Sequence, residues 1–110
     1  MTRLVLGLAL MASVAACDRP LPGEVGYRVI SHDAEIRSAT LTLCDEETEM
    51  TSSGAVWTAD VRPTCEGGGQ IVVQLADGAA VTCSGDYVTP GMGGETLGYV
   101  ASSTGCAFAE

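Results

Sequence analysis

Lysine is absent from the 110 residues, and the five arginines face fourteen acids, giving a formal charge of −9. A nucleic-acid partner needs a basic face that displaces counterions from phosphates, so that class of partner is excluded. Anionic lipid headgroups would repel the chain as well. Histidine, tryptophan and phenylalanine each occur once, as His32, Trp57 and Phe108. One imidazole leaves little scope for histidine-based metal binding or catalysis, and so few aromatic rings allow only a modest core. Long hydrophobic runs are missing too: the longest, Leu4 to Ala16, has 13 residues, against the roughly 20 that span a bilayer as a helix. Downstream of it no stretch carries a 3.6-residue period for more than a turn.

What is present begins at the amino terminus. Arg3, the aliphatic run from Leu4 to Met11 and the small residues Ala15 and Ala16 form a positive, an apolar and a cleavage region in the order of a secretion signal. Cys17 follows at once. The stretch "VAAC", residues 14–17, resembles the lipobox of bacterial lipoproteins. That resemblance covers the leader only. It implies cleavage before Cys17, acylation of its sulfur and of the new amino terminus by long chains such as palmitate, and a mature protein on the periplasmic face of the cell envelope. One acyl chain binds membranes only marginally, so several are needed for a stable anchor. Asp18 resembles the signal that retains such proteins in the inner membrane of enteric bacteria; the outer membrane is the alternative. Without residues 1–16 the chain has 14 acidic and 4 basic residues, a balance of −10.

An anchor at Cys17 also settles the odd cysteine count. Cys44, Cys65, Cys83 and Cys106 remain, an even set that should form two disulfides in an oxidising compartment. Zinc sites use close cysteine pairs, whereas these gaps are 21, 18 and 23 residues; no metal or other cofactor is expected. If strands run alternately up and down, Cys44 meets Cys106 at one end and Cys65 meets Cys83 at the other. A Greek-key crossover would instead favour neighbours in sequence.

Residues 17–24 read as the lipidated cysteine and an extended tether, because "DRPLPGE" has two prolines and a glycine. Residues 25–110 read as one domain. There the apolar period is two: Ala39, Leu41 and Leu43; Ala55, Trp57, Ala59 and Val61; Ile71, Val73 and Leu75. Such alternation marks half-buried strands. About seven of them predict an all-β fold, a small antiparallel sandwich or, alternatively, a small barrel. Between Gln70 and Ser84 the hydrophobic pattern selects the register. A three-residue loop, Ala76-Asp77-Gly78, sets Val73 opposite Val81 and Ile71 opposite Cys83, with Gly78 left-handed.

Candidate chemistry is sparse. His32 and Asp33 are adjacent, and on a strand neighbours point to opposite faces, so they form no ready dyad. Asp45, Glu46, Glu47 and Glu49 read as the solvated tip of a hairpin loop and as a possible contact for a basic envelope protein. They are nearly contiguous, unlike the alternating oxygens of calcium loops. The glycine-rich pieces "EGGGQ" and "PGMGG" read as loops, and residues 85–96 as a contact surface. "SGDY", residues 84–87, resembles, one residue short, the Ser-Gly-x-x-Tyr element of small lipoproteins that inhibit lysozyme. The functional expectation is a lipid-anchored binding or structural module of the envelope, not an enzyme. Inhibition of a basic envelope enzyme such as a lysozyme is the alternative, and hydrolysis a second one.

Overall fold

The period-two pattern decides which face of each strand is covered. A computed structural model describes residues 20–109. The leader, Cys17 and Asp18 lie outside the described residues. The elements are β1 (Val25–Ser31), β2 (Ile36–Leu43), β3 (Glu46–Glu49), β4 (Thr51–Ser53), β5 (Val56–Val61), β6 (Gly67–Leu75), β7 (Ala80–Val88), β8 (Thr96–Ser102) and β9 (Gly105–Ala109). They make two sheets, ordered β4-β5-β1-β8-β9 and β3-β2-β6-β7. From one sheet Val25, Tyr27, Val29, Leu97 and Tyr99 are buried, and from the other Leu41, Ile71, Val73 and Leu75. Each is separated from the next on its strand by an outward residue, and the two inner faces meet as one core. Burying one such aliphatic side chain stabilises the fold by roughly 1.5–3 kcal/mol.

The fold is all-β, as the alternation requires, with nine strands where about seven were expected. The two additional strands come from the acidic stretch and the serines after it. Cys44 and Asp45 both lie in the left-handed region, at φ 57° and 60°, and form a two-residue turn with Leu43 opposite Glu46. Glu46–Glu49 is therefore an edge strand along β2, not a loop. Only Met50 separates β3 from β4. Its amide donates to the carbonyl of Ala39 at 2.8 Å and its side chain is buried, so the chain passes from one sheet to the other almost without interruption.

That pass overturns the disulfide pairing expected from simple alternation. The bridges join Cys44 to Cys65 and Cys83 to Cys106, with Cα atoms 5.7 and 5.0 Å apart; Cys44 does not meet Cys106, nor Cys65 Cys83. Counting residues 45–54 as a loop omitted one traverse of the molecule. With β3 and β4 as a traverse, β2 and β5 run the same way, and Cys44 and Cys65 follow their ends on the same side. Cys83 lies inside β7, facing the core opposite Ile71. Its bridge ties edge strand β7 to edge strand β9 across the two sheets. One pair is parallel, β1 with β8, a crossover that an up-and-down order does not contain.

The β6–β7 hairpin has the register that its hydrophobic pattern requires. Ile71 faces Cys83, Val73 faces Val81, and the Leu75 amide donates to Ala79 at 2.8 Å. Gly78 has φ +93°, the left-handed third loop position. Further along the same ladder "EGGGQ" enters β6 instead of forming a loop. A bulge between Gly68 and Gln70 brings two backbones together there, and a Cβ on Gly85 would sit 2.8 Å from the Gly69 carbonyl oxygen.

Residues 21–24, expected as free tether, belong to the domain. The Glu24 amide donates to the Leu21 carbonyl at 2.9 Å and the Leu21 amide to the Glu24 carboxylate at 3.0 Å, closing a turn. Gly94 donates to the Glu24 carbonyl and Gly26 to that of Glu95, both at 2.8 Å. Much of the glycine-rich loop after β7 is thus engaged with the chain's own first turn, which reduces the contact surface expected from residues 85–96.

Candidate functional site

One end of the sandwich is closed and the other open. The closed end holds the 21–24 turn, the 89–95 loop and the Cys44–Cys65 bridge. At the open end, where β1 finishes and β2 begins, a depression of about 200 Å³ lies between the sheets. Its walls are Trp57, Ser31 and the β4–β5 hairpin on one side, and Glu35 and Ile36 on the other. Alternation places Trp57 on the inner face, opposite Val29. Its other cross-strand neighbour is Ser52, and the hairpin turn consists of Gly54 and Ala55. Side chains this small leave the indole partly uncovered. The volume is below the 300–1,000 Å³ usual for drug-sized ligands. It suits a single side chain.

Three carboxylates lie around this end, and two are engaged. Asp33 accepts from the Ser103 hydroxyl at 3.3 Å, and Asp77 accepts from the Ala79 amide at 2.9 Å. Glu35 takes part through its backbone alone, its carbonyl accepting from Ala76 at 2.9 Å. Its exposed carboxylate makes no hydrogen bond or ion pair among the described residues. Arg37, two residues along, directs its guanidinium to the Ala76 carbonyl at 3.5 Å. The depression thus has Trp57 on one wall and Glu35, whose carboxylate is unengaged, on the other.

The residues singled out from sequence are dispersed. His32 is exposed beyond β1, and Asp33 is turned to Ser103, so the two form no dyad. Asp45 and Glu46 lie at the closed end, while Glu47 and Glu49 sit opposite Thr42 and Thr40 on the outward face of their sheet. Residues 84–87 lie inside β7, where Tyr87 is exposed and donates to Glu66 at 3.2 Å. Among the described residues no three His, Cys, Asp or Glu side chains converge as a metal site. Cys17 and Asp18 lie outside the described residues.

Tyr27, in the centre of the core, is 0% exposed, and its hydroxyl has no partner. Burial, reinforced by Tyr99 and Asp86, pushes its ionisation up to about 12. Tyr99 is raised in the same way, although its hydroxyl accepts from the Asp86 amide at 3.3 Å. Both phenols stay neutral at physiological pH and have no path to a substrate. They are core residues.

Compared with known proteins, the chain matches no family model, no curated protein and no solved structure. The site therefore rests on its own geometry. The apolar alternation includes Trp57, and no motif in the local sequence singles out Glu35. The available signal was weak: a lone tryptophan in an aromatic-poor chain, and an acid between two apolar residues where a strand begins.

Proposed function

We propose that the chain is a lipid-anchored binding module of the bacterial cell envelope whose partner is a basic protein. The observation that supports it best is uncompensated charge. Among the described residues, which hold twelve acids and three arginines, the structure contains one ion pair, Arg28 with Asp60 at 2.9 Å. An acidic surface of this kind steers cationic partners and repels anionic ones. Exposed acids on β3 also discourage pairing of that edge with another strand, which is compatible with docking through side chains. The anchor rests on "VAAC" and Cys17. A basic envelope enzyme is one form that the partner could take, in which case binding would inhibit it.

Two measurements test this reading. Cys17→Ser in the full chain should abolish incorporation of labelled palmitate, and an amino terminus without acyl mass in the native protein would remove the anchor. Capture from envelope extract should recover a basic partner at 0.1 M salt and much less at 1 M, since the screening length falls from about 10 to about 3 Å. Changing Asp45, Glu46, Glu47 and Glu49 to Asn or Gln should slow association. Salt-independent capture that ignores those four changes would refute the electrostatic reading, and turnover of a peptide, ester or glycan that requires His32 would replace it with hydrolysis.

A further inference from the structure

We infer that the open-end depression is a receptor for one cationic side chain, the guanidinium or ammonium of an Arg or Lys presented by the partner. This rests on the reading above that the partner is basic, and it names where that partner is gripped. Three features converge. Trp57 supplies a partly uncovered indole at the mouth of the sandwich, and indole faces attract cations more strongly than other aromatic rings do. Glu35 lines the opposite wall and has an exposed, unengaged carboxylate, whereas the other two acids at this end are committed to Ser103 and to the Ala79 amide. About 200 Å³ is space for a side chain. A neutral apolar group would gain nothing from Glu35, and an anion would meet three carboxylates at this end, Glu35, Asp33 and Asp77, against the one guanidinium of Arg37, which is directed to the Ala76 carbonyl. A cation satisfies both walls.

Topology gives the site an orientation. β1 leads from the closed end to the depression, and its seven residues span about 20 Å at roughly 3.3 Å each. Only residues 18–20 separate Cys17 from the docked turn at 21–24, a reach of at most about 15 Å at 3.6 Å per residue. An anchor on Cys17 therefore holds the closed end toward the bilayer and leaves the depression facing away from it. The acids of β3 lie nearer the membrane and steer the encounter; Glu35 and Trp57 capture the side chain.

The single tryptophan makes the experiment direct. The full-length protein in detergent micelles is titrated with the tripeptide acetyl-Gly-Arg-Gly-amide, its lysine counterpart and a citrulline version of the same shape without charge, and Trp57 emission is followed. The expected result is a saturable change with the two cationic peptides, at least tenfold weaker with citrulline and at least tenfold weaker in Glu35→Gln. Glu66→Gln, exposed at the closed end and still able to accept from the Tyr87 hydroxyl through its amide oxygen, should leave the affinity within twofold. Circular dichroism of Glu35→Gln checks that the variant is folded; because the side chain is exposed and unengaged, its melting should be unchanged. Equal binding of the citrulline peptide, or undiminished binding in Glu35→Gln, overturns the assignment. Partner capture separates the two readings: if Glu35→Gln captures normally while the four-acid variant does not, the site fails and the basic partner stands. If neither change matters, the basic partner fails as well.

Discussion

The closed end of the sandwich is held by the Cys44–Cys65 bridge, a docked turn and reciprocal backbone hydrogen bonds, whereas the mouth at the open end is lined by small side chains, with the Cys83–Cys106 bridge set to one side of it between the outer strands β7 and β9. At the closed end Cys44 meets Cys65, and residues 24–26 interlock with residues 94 and 95. At the open end Ser52, Gly54, Ala55 and Ala34 line an unfilled space. A domain with one Trp and one Phe cannot fill both ends with large side chains. The two bridges thus serve different places: Cys44–Cys65 closes one end, whereas Cys83–Cys106 ties the outer strands β7 and β9 beside the row of Ser31 and Ala101, and the mouth itself is left lined by small side chains.

The largest effect that would break this comparison is removal of a bridge. Replacing Cys44 and Cys65 together by Ala should cost about 2–4 kcal/mol in denaturant unfolding and loosen the closed end. Replacing Cys83 and Cys106 should cost at least as much, since Cys83 is buried in the core and its loss also removes packing. If the Cys44–Cys65 pair is the costlier one, the closed end contributes more than burial suggests.

Glycine changes at the two ends sharpen the contrast. A Cβ on Gly93 would overlap the backbone of Gly23, so Gly93→Ala should displace the docked turn and destabilise by about 1–3 kcal/mol. Gly54, with φ +65° at the open end, has no atom near its Cβ position, so Gly54→Ala should cost only its left-handed backbone preference, about 1 kcal/mol. Thermal melts of the two variants give the ranking; the opposite order would mean that the open end is the more tightly packed.

Tyr27, between the ends, provides the smallest and most diagnostic change. Its hydroxyl is buried without a partner, and a buried unsatisfied group costs about 1–3 kcal/mol. Tyr27→Phe removes that group, and the melting temperature should hold or rise slightly. The same residue sets a base limit. Its ionisation is raised in the fold from 10.0 to about 12, first by burial, so the stabilisation is complete below pH 10 and is lost as pH rises from 10 through about 12. Tyr99 adds in the same direction. Unfolding followed from pH 9 to 12 should show a shallower decline in Tyr27→Phe than in the parent; equal slopes would locate the base sensitivity elsewhere.

Sequence by itself determined what depends on near neighbours. Alternation along residues 37–43, 55–61 and 71–75 set the buried faces, and the same alternation with Gly78 fixed the β6–β7 register, because a one-residue slip would expose Ile71 and Val73. The paired set of four domain cysteines was legible for a similar reason, being a matter of count. Which cysteines met was not, since that depended on whether residues 46–53 cross the molecule, and their short polar run has no apolar alternation to announce a strand. The parallel pairing of β1 with β8 joins residues about seventy positions apart, beyond the reach of any local pattern. The same holds for the depression: Trp57 is on β5 and Glu35 on the loop just before β2, and only the packing of one sheet on the other, with small side chains left at the mouth, brings both to its lining.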